Sequence, residues 1–328
     1  MKILVTGATG MLGNNVVRLL LARGAAVRVL LRESSDPRPL EGLDVERCLG
    51  DVRDEAAVQV AIEGVDRVIH SAALVQVGWT ELERTREINV GGTRHVAAAA
   101  RAAGAKMVHV STCDAIGFGA PDQPADEETT RYAKVSTPYV VTKQEAEQVV
   151  QEEVQRGLSA AIVNPGFMLG PWDWKPSSGQ MLVEVGGGRG WVAPRGWTSV
   201  SDPRDVAAAT IAALEQGKPG RRYILAGENM TYLELWRRIA EVTGARRPLF
   251  SLGPVNAAIV GGVGDLWTRL SGNEPVFNSA AIKMAKVPKI YSSARAKQEL
   301  GYHNRPLQES ITDGWNWFRE HGYVRREA

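Results

Sequence analysis

Cysteine is scarce in this chain: two residues, Cys48 and Cys113, among 328. Two are too few for a disulfide framework and fit a reducing compartment. Histidine is scarce too, with five scattered residues. Neither CxxC nor HExxH spacing occurs, so no motif for a metal centre is present. No apolar run reaches the ~18 to 20 residues of a membrane-spanning helix. The nearest, PVNAAIVGGVGDLWTRLSG, is interrupted by glycines and Asp265. The apolar run at the amino terminus breaks at Gly7 and is too short for the core of a signal peptide, so it reads as a buried strand. Charge of one sign is also missing: the net charge is +2 and no long basic run exists, which argues against a nucleic-acid or anionic-membrane partner. A cytoplasmic protein is the default expectation. No internal repeat or low-complexity segment is present.

What is there is an alternation. KILVTG, AVRVLLR, VERCLGD, VDRVIHSAA, AKMVHVST and LSAAIVNPG read as strands, separated by helical stretches such as GNNVVRLLLARG and PYVVTKQEAEQVVQEEVQRG. That rhythm predicts parallel strands joined by crossover helices, an α/β doubly wound Rossmann sheet. Near-continuous apolar strands agree, because both faces of such a sheet are covered. After residue 165 the chain becomes rich in Pro, Gly and Trp. A dinucleotide-binding domain over residues 1–165 and a smaller α+β substrate region over 166–328 are expected, with residues 198–227 packing back on the first sheet. TYLELWRRIAEVTG predicts a helix with Thr231 as N-cap and Glu234 completing a capping box.

LVTGATGMLGNN sets Gly7, Gly10 and Gly13 between the first strand and the first helix. Glycines at that turn let the backbone approach a pyrophosphate and let helix pack on strand. An NAD-selective site usually ends its second strand with an acid. Here Leu31 holds that place and Arg32 follows, so NADP(H) is favoured over NAD(H), with Arg32 pairing the 2′-phosphate. Glu33 is the competing reading, if the strand ends later. Asp51 is a candidate for the adenine amino group or a helix N-cap.

Tyr139 and Lys143, at i and i+4, share a helix face. Spacing alone does not make them catalytic. Six segments in order, TGATGMLG, HSAALV, NVGGT, HVSTCDAIG, YVVTK and NPGFMLGP, make the chain resemble the extended short-chain dehydrogenases/reductases. VRVLLR, NPGFMLGPWDW, YILAGENMTYLEL and ELGYHNRPLQESITDGWNWF are most similar to the branch holding dihydroflavonol reductases. The resemblance implies that Tyr139 is the general acid, that Lys143 holds the nicotinamide ribose and lowers the phenol pKa, and that Thr112 bonds the substrate oxygen. Ser111 is the fallback for Thr112, whose other reading is a strand-end cap. Asn89 is either the proton-relay asparagine or an N-cap.

The same resemblance places Thr9, Met11 and Leu12 with the loop glycines around the cofactor. It adds Val52 beside Asp51, then Ser71, Ala72 and Ala73, and finally Pro165, Gly166 and Met168. Val75, Trp79, Cys113, Phe167, Trp172 and Trp174 are expected to line the substrate cleft, although Trp172 and Trp174 can equally anchor their loop, and Cys113 can be buried. Where the related dehydratases carry two acids after Ser-Thr, Cys113 and Asp114 stand here, which argues against water elimination. Arg204 matches a position held widely in the family and discriminates little. The apolar stretch 254–271 is expected to be a buried lid, with a membrane-surface contact as the other reading.

The function implied is reduction of a ketone or aldehyde on a small, partly apolar molecule, or the reverse oxidation. A nucleotide-sugar epimerase and a non-catalytic dinucleotide sensor are the alternatives. A homodimer through the helices that include the Tyr139 helix is implied by resemblance.

Overall fold

The computed structural model describes residues 1–129, 137–271 and 278–324. In chain order the elements are β1 (Lys2–Thr6), α1 (Met11–Ala22), β2 (Ala26–Leu31), β3 (Glu46–Leu49), α2 (Glu55–Ile62), β4 (Arg67–His70), α3 (Leu82–Arg86), α4 (Gly92–Ala102), β5 (Lys106–Val110) and α5 (Pro138–Gln155). There follow β6 (Ala160–Pro165), β7 (Phe167–Met168), α6 (Gly179–Glu184), β8 (Val192–Ala193), β9 (Trp197–Ser201), α7 (Pro203–Gln216), β10 (Arg222–Leu225), β11 (Glu228–Thr231) and α8 (Tyr232–Thr243). The last are β12 (Phe250–Ser251), α9 (Pro254–Ser271), α10 (Ser279–Lys286), α11 (Ala294–Leu300) and α12 (Leu307–Glu320).

Seven parallel strands form the main sheet in the order β10-β6-β5-β4-β1-β2-β3. The order reverses at β1, so a crevice opens beyond the carboxyl ends of β1 and β4, where such sheets bind ligands. Alternation along the strands explains the uninterrupted apolar runs. Ile3, Val5, Ile69, Val108 and Val163 enter one core with α1 and α7, while Leu4, Val68, Met107 and Ile162 enter the other with α2, α4 and α5. After β7 the chain goes out and returns: β9 pairs with β7 and β11, then α7 packs on α1 and β10 joins β6.

A third core, built from Leu169, Leu182, Leu235, Trp236, Ile311, Trp315 and Phe318, holds α6, α8 and α12 together. The capping box on α8 is formed in both directions: Glu234 N donates to Thr231 Oγ1 at 3.2 Å, and Thr231 N donates to Glu234 Oε2 at 2.8 Å.

The stretch 254–271 is a helix but not a buried lid. α9 turns Ala257, Gly261 and Gly264 inward, against α10, and leaves its large apolar residues in solvent. Burying the opposite face would have left Asp265 without its partner: its carboxylate accepts the Ser279 amide at the start of α10. Among the described residues no helix is long and apolar enough to cross a membrane.

Candidate active site

The first turn of the sheet builds a cradle. Gly7 has a φ of 72°, a left-handed conformation that suits glycine. A Cβ on Gly7 would lie 2.6 Å from the Ala72 nitrogen, and one on Gly13 would lie 2.2 Å from the Gly7 carbonyl oxygen. Both positions therefore exclude side chains by close backbone approach. Gly10 is different: an added Cβ would meet only the Gly7 oxygen, at 3.4 Å, so it faces open space. It is also the N-cap of α1 and supplies no side-chain cap. The leading amides of α1, at Met11 and Leu12, thus point at a region that a pyrophosphate fits, at the positive end of the helix. Thr9 lies on the same loop, and the backbone of Ser71 and Ala72 closes it from the end of β4, with Ala73 next along the chain. Ser71 and Ala72 are tied there by bonds from their amides to the Thr6 carbonyl and hydroxyl oxygens.

At the far end of the crevice, β2 ends at Leu31 and Arg32 is exposed. Burial opposes the Asp51 carboxylate, but its bonds to Arg53 outweigh that and hold it below the usual range, with a smaller contribution from the Arg32 charge. Asp51 does not cap the next helix. Asp54 does, accepting the Ala56 and Ala57 amides, while Asp51 is forked by Arg53 at 3.1 and 3.0 Å. Val52, next to it, is buried in the core beneath α4.

The candidate chemistry lies at the carboxyl end of β5. Thr137 caps α5 and Pro138 opens it, which sets Tyr139 in the first turn. The Thr112 hydroxyl lies close enough to the Tyr139 phenol to favour its phenolate form, and it also accepts the Asp114 amide at 3.3 Å. The Thr112 hydroxyl therefore caps the turn after β5 and stands beside the phenol. Ser111 is buried, with its Oγ unpartnered by protein. Burial pushes the phenol up to about 12. The Asp114 charge adds to that, while the Thr112 hydroxyl and the Lys289 charge pull it down.

The expected helper behaves differently. Lys143 is buried, donates to the Val110 carbonyl oxygen at 2.8 Å, and is lowered by burial to about 8. The cation that most depresses the phenol is Lys289, whose Nζ lies 3.0 Å from Asp114 Oδ2. Sequence reasoning missed Lys289, because nothing in VPKIY marks it and it enters from 175 residues away.

Asn89 is not an N-cap. It sits buried in a wide turn ahead of α4, accepts the Leu74 amide at 2.7 Å, and donates to the Leu74 oxygen at 3.1 Å and to Thr142 Oγ1 at 3.0 Å. It pins the loop after β4 to the Tyr139 helix. Behind it, His70 bridges Thr6 Oγ1 at 2.7 Å and Thr93 Oγ1 at 3.1 Å, and Thr93 in turn donates to the Asn89 oxygen.

The expected cleft wall divides. Val75 and Trp79 stay on the loop after β4, exposed, and the Trp79 indole donates to Ser279 Oγ at 2.8 Å. Beyond Pro165 and Gly166, Phe167 leans on the third core and Met168 on the sheet. Cys113 is not on a pocket surface. It is buried with Ile116, Ile224 and Tyr291, and its thiol, raised well above the usual range by burial, donates to the Asn164 oxygen. Trp172 and Trp174 are anchors. Their rings pack with Trp317 and His321, and the Arg18 guanidinium lies 3.4 Å above Trp172. Trp172 has a φ of 69°, which so bulky a residue keeps only when its surroundings hold it.

Residues 3–226 match the sequence profile of the NAD dependent epimerase/dehydratase family. The chain belongs to that family. It is an NAD(P)-dependent oxidoreductase of the extended short-chain dehydrogenase/reductase kind. Sterol demethylase protein B of Methylococcus capsulatus is 36% identical to it, over 99% of this chain and 100% of that one. A putative dihydroflavonol 4-reductase of Synechocystis sp. is 32% identical, over 98% and 96%. The solved structure of gox2253 superposes with a TM-score of 0.85 at 35% identity, covering 98% of this chain and 99% of that one.

Proposed function

We propose that the protein is an NADP(H)-dependent reductase of a ketone or aldehyde on a small, partly apolar molecule, with Tyr139 as general acid and the reverse oxidation open to it. The observation that carries this reading is the Tyr139 phenol set beside Thr112 beyond the carboxyl end of β5, one helical turn from the buried Lys143. When bound, the dinucleotide supplies or accepts the hydride. Thr112 and Tyr139 hold the substrate oxygen between them, and Tyr139 gives it a proton as negative charge develops there. A phenol raised to about 12 is protonated at neutral pH and so has a proton to give.

Lys143, Asn89 and the cradle residues seat the cofactor. Arg32 beyond the end of β2, with Leu31 in place of an acid, supports NADP(H). Asp114 is already ion-paired with Lys289, which supports a reductase over a dehydratase that needs a free acid/base pair. The names of the two relatives, a sterol demethylase protein and a dihydroflavonol reductase, support an apolar ring system as substrate.

The test is NADPH absorbance against a panel of carbonyl compounds. Tyr139→Phe should keep NADPH binding and lose turnover by about 10²- to 10⁴-fold. Undiminished turnover in that variant refutes the role. Tightly held NAD that survives purification, with no preference for NADPH, points instead to a nucleotide-sugar epimerase.

A further inference from the structure

α9 is amphipathic in the reverse sense from an ordinary surface helix. Its inward stripe is small: Ala257, Gly261 and Gly264, with Gly261 seated on Ser279 and Ile282 of α10. The arc pointing straight away from the protein carries Val255, Ile259, Val263, Leu266 and Leu270, with Trp267 at its side. These six side chains are between 55% and 79% exposed. At 100° per residue they fall within about one third of the helix circumference. Leu249 and Phe250, just before the helix, are exposed as well. An apolar surface of this kind marks an interaction site on a soluble protein.

The flank of the arc says what covers it. Arg269 of α9 and Lys283 of α10 both lie near Asp265, and Lys283 is stacked on Trp79 at 4.9 Å. Lys286 follows one turn along α10 and is exposed. The acid between them, Asp265, accepts the Ser279 amide and keeps its charge, so this flank carries three cations against one acid. Apolar residues and a tryptophan directed outward, with cations at the margin, form the pattern of a helix lying in the headgroup layer of an anionic bilayer. A second copy is the poorer partner, because a two-fold pairing of this face would bring the same cations together. The start of α10, against which α9 packs, meets the loop after β4: Asn278 donates to the Val77 oxygen and Trp79 to Ser279.

We propose that α9, with Arg269, Lys283 and Lys286 on its flank, is a docking surface for an anionic lipid bilayer, holding the crevice mouth against the membrane. Among the described residues no helix is long and apolar enough to span the bilayer. The chain rests on it, with Leu266 and its neighbours in the acyl boundary.

The full chain should float with vesicles of phosphatidylcholine mixed with phosphatidylglycerol, less with phosphatidylcholine alone, and less again as salt is raised. Val263→Glu combined with Leu266→Glu should lower vesicle binding about tenfold or more. Both positions are exposed, so NADPH binding and the melting temperature should stay as in the parent, which shows that the variant folds. Arg269→Glu with Lys283→Glu should abolish the preference for phosphatidylglycerol. The proposal is overturned if the parent does not float, or if the Glu variant floats equally well. It is also overturned if the parent is a dimer that the Glu variant dissociates and neither binds vesicles. None of these readouts uses turnover, so failure of the reductase reading is seen separately in the NADPH assay.

Discussion

Lys289 Nζ and Asp114 Oδ2 are 3.0 Å apart, and this contact ties the segment after α10 to the second residue beyond Thr112. The pair sets the electrostatic surroundings of Tyr139. The carboxylate resists phenolate formation and the ammonium favours it. Asp114→Asn should therefore lower the phenol pKa, and Lys289→Met should raise it. In the oxidising direction, which needs phenolate, the rising limb of the pH–rate profile should move to lower pH for Asp114→Asn and to higher pH for Lys289→Met, each by about one unit. Shifts of the same sign in both variants would remove the pair from this role.

On the proposed reading, Arg32 bears on cofactor choice alone. Arg32→Ala should weaken NADPH binding about 10- to 100-fold, the loss expected for a charge-assisted contact, and leave NADH binding unchanged. Titrations of cofactor fluorescence with the two dinucleotides measure the ratio directly. An equal loss for both would assign Arg32 to general electrostatics.

The cradle tolerates no methyl group at Gly13. Gly13→Ala would put a Cβ 2.2 Å from the Gly7 oxygen, so the backbone must shift. We expect a loss of about 1–3 kcal/mol in stability, together with weakened cofactor binding. Gly91→Ala is the control, since its Cβ would meet nothing within 4 Å. Calorimetry on the two variants separates the cases.

His70 makes stability fall in acid. Burial, helped by the charge of Lys143, holds this imidazole at about 3. An unfolded histidine titrates near 6.5. Between those values the unfolded chain binds a proton that the folded chain refuses, so the stability present above about pH 6.5 is lost as pH falls towards 3. By about pH 5 the loss from His70 alone is about 2 kcal/mol. His70→Asn should be less stable at neutral pH through its weakened bonds to Thr6 and Thr93, yet lose less on acidification. Melting temperatures of parent and variant between neutral pH and about pH 5 test this.

Local chemistry was legible in the sequence, and distant chemistry was not. Thr231 and Glu234 stand three apart, and the box they form needs nothing else. The glycines of the first turn act on one another across a few residues, so Gly7, Gly10 and Gly13 could be read as a cradle. Trp172 and Trp174 could not be resolved, because their partners Arg18, Trp317 and His321 lie more than a hundred residues away along the chain. Lys289 was invisible for the same reason. α9 carried a signal that was overlooked. Ala257, Gly261 and Gly264 recur at helical spacing and mark a close-packed face, which leaves the larger side chains to point outward.

α1 is gripped at two levels. Its first turn forms the cradle, and further along Asn15 donates to the Pro171 oxygen while Arg18 lies flat on Trp172. The rod that would present amides to the cofactor is thus also the post on which the carboxyl-terminal lobe is hung. The same helix touches both Gly10 at its first turn and Trp172 further along. A probe placed near Trp172 would therefore report on cofactor seating without touching the crevice.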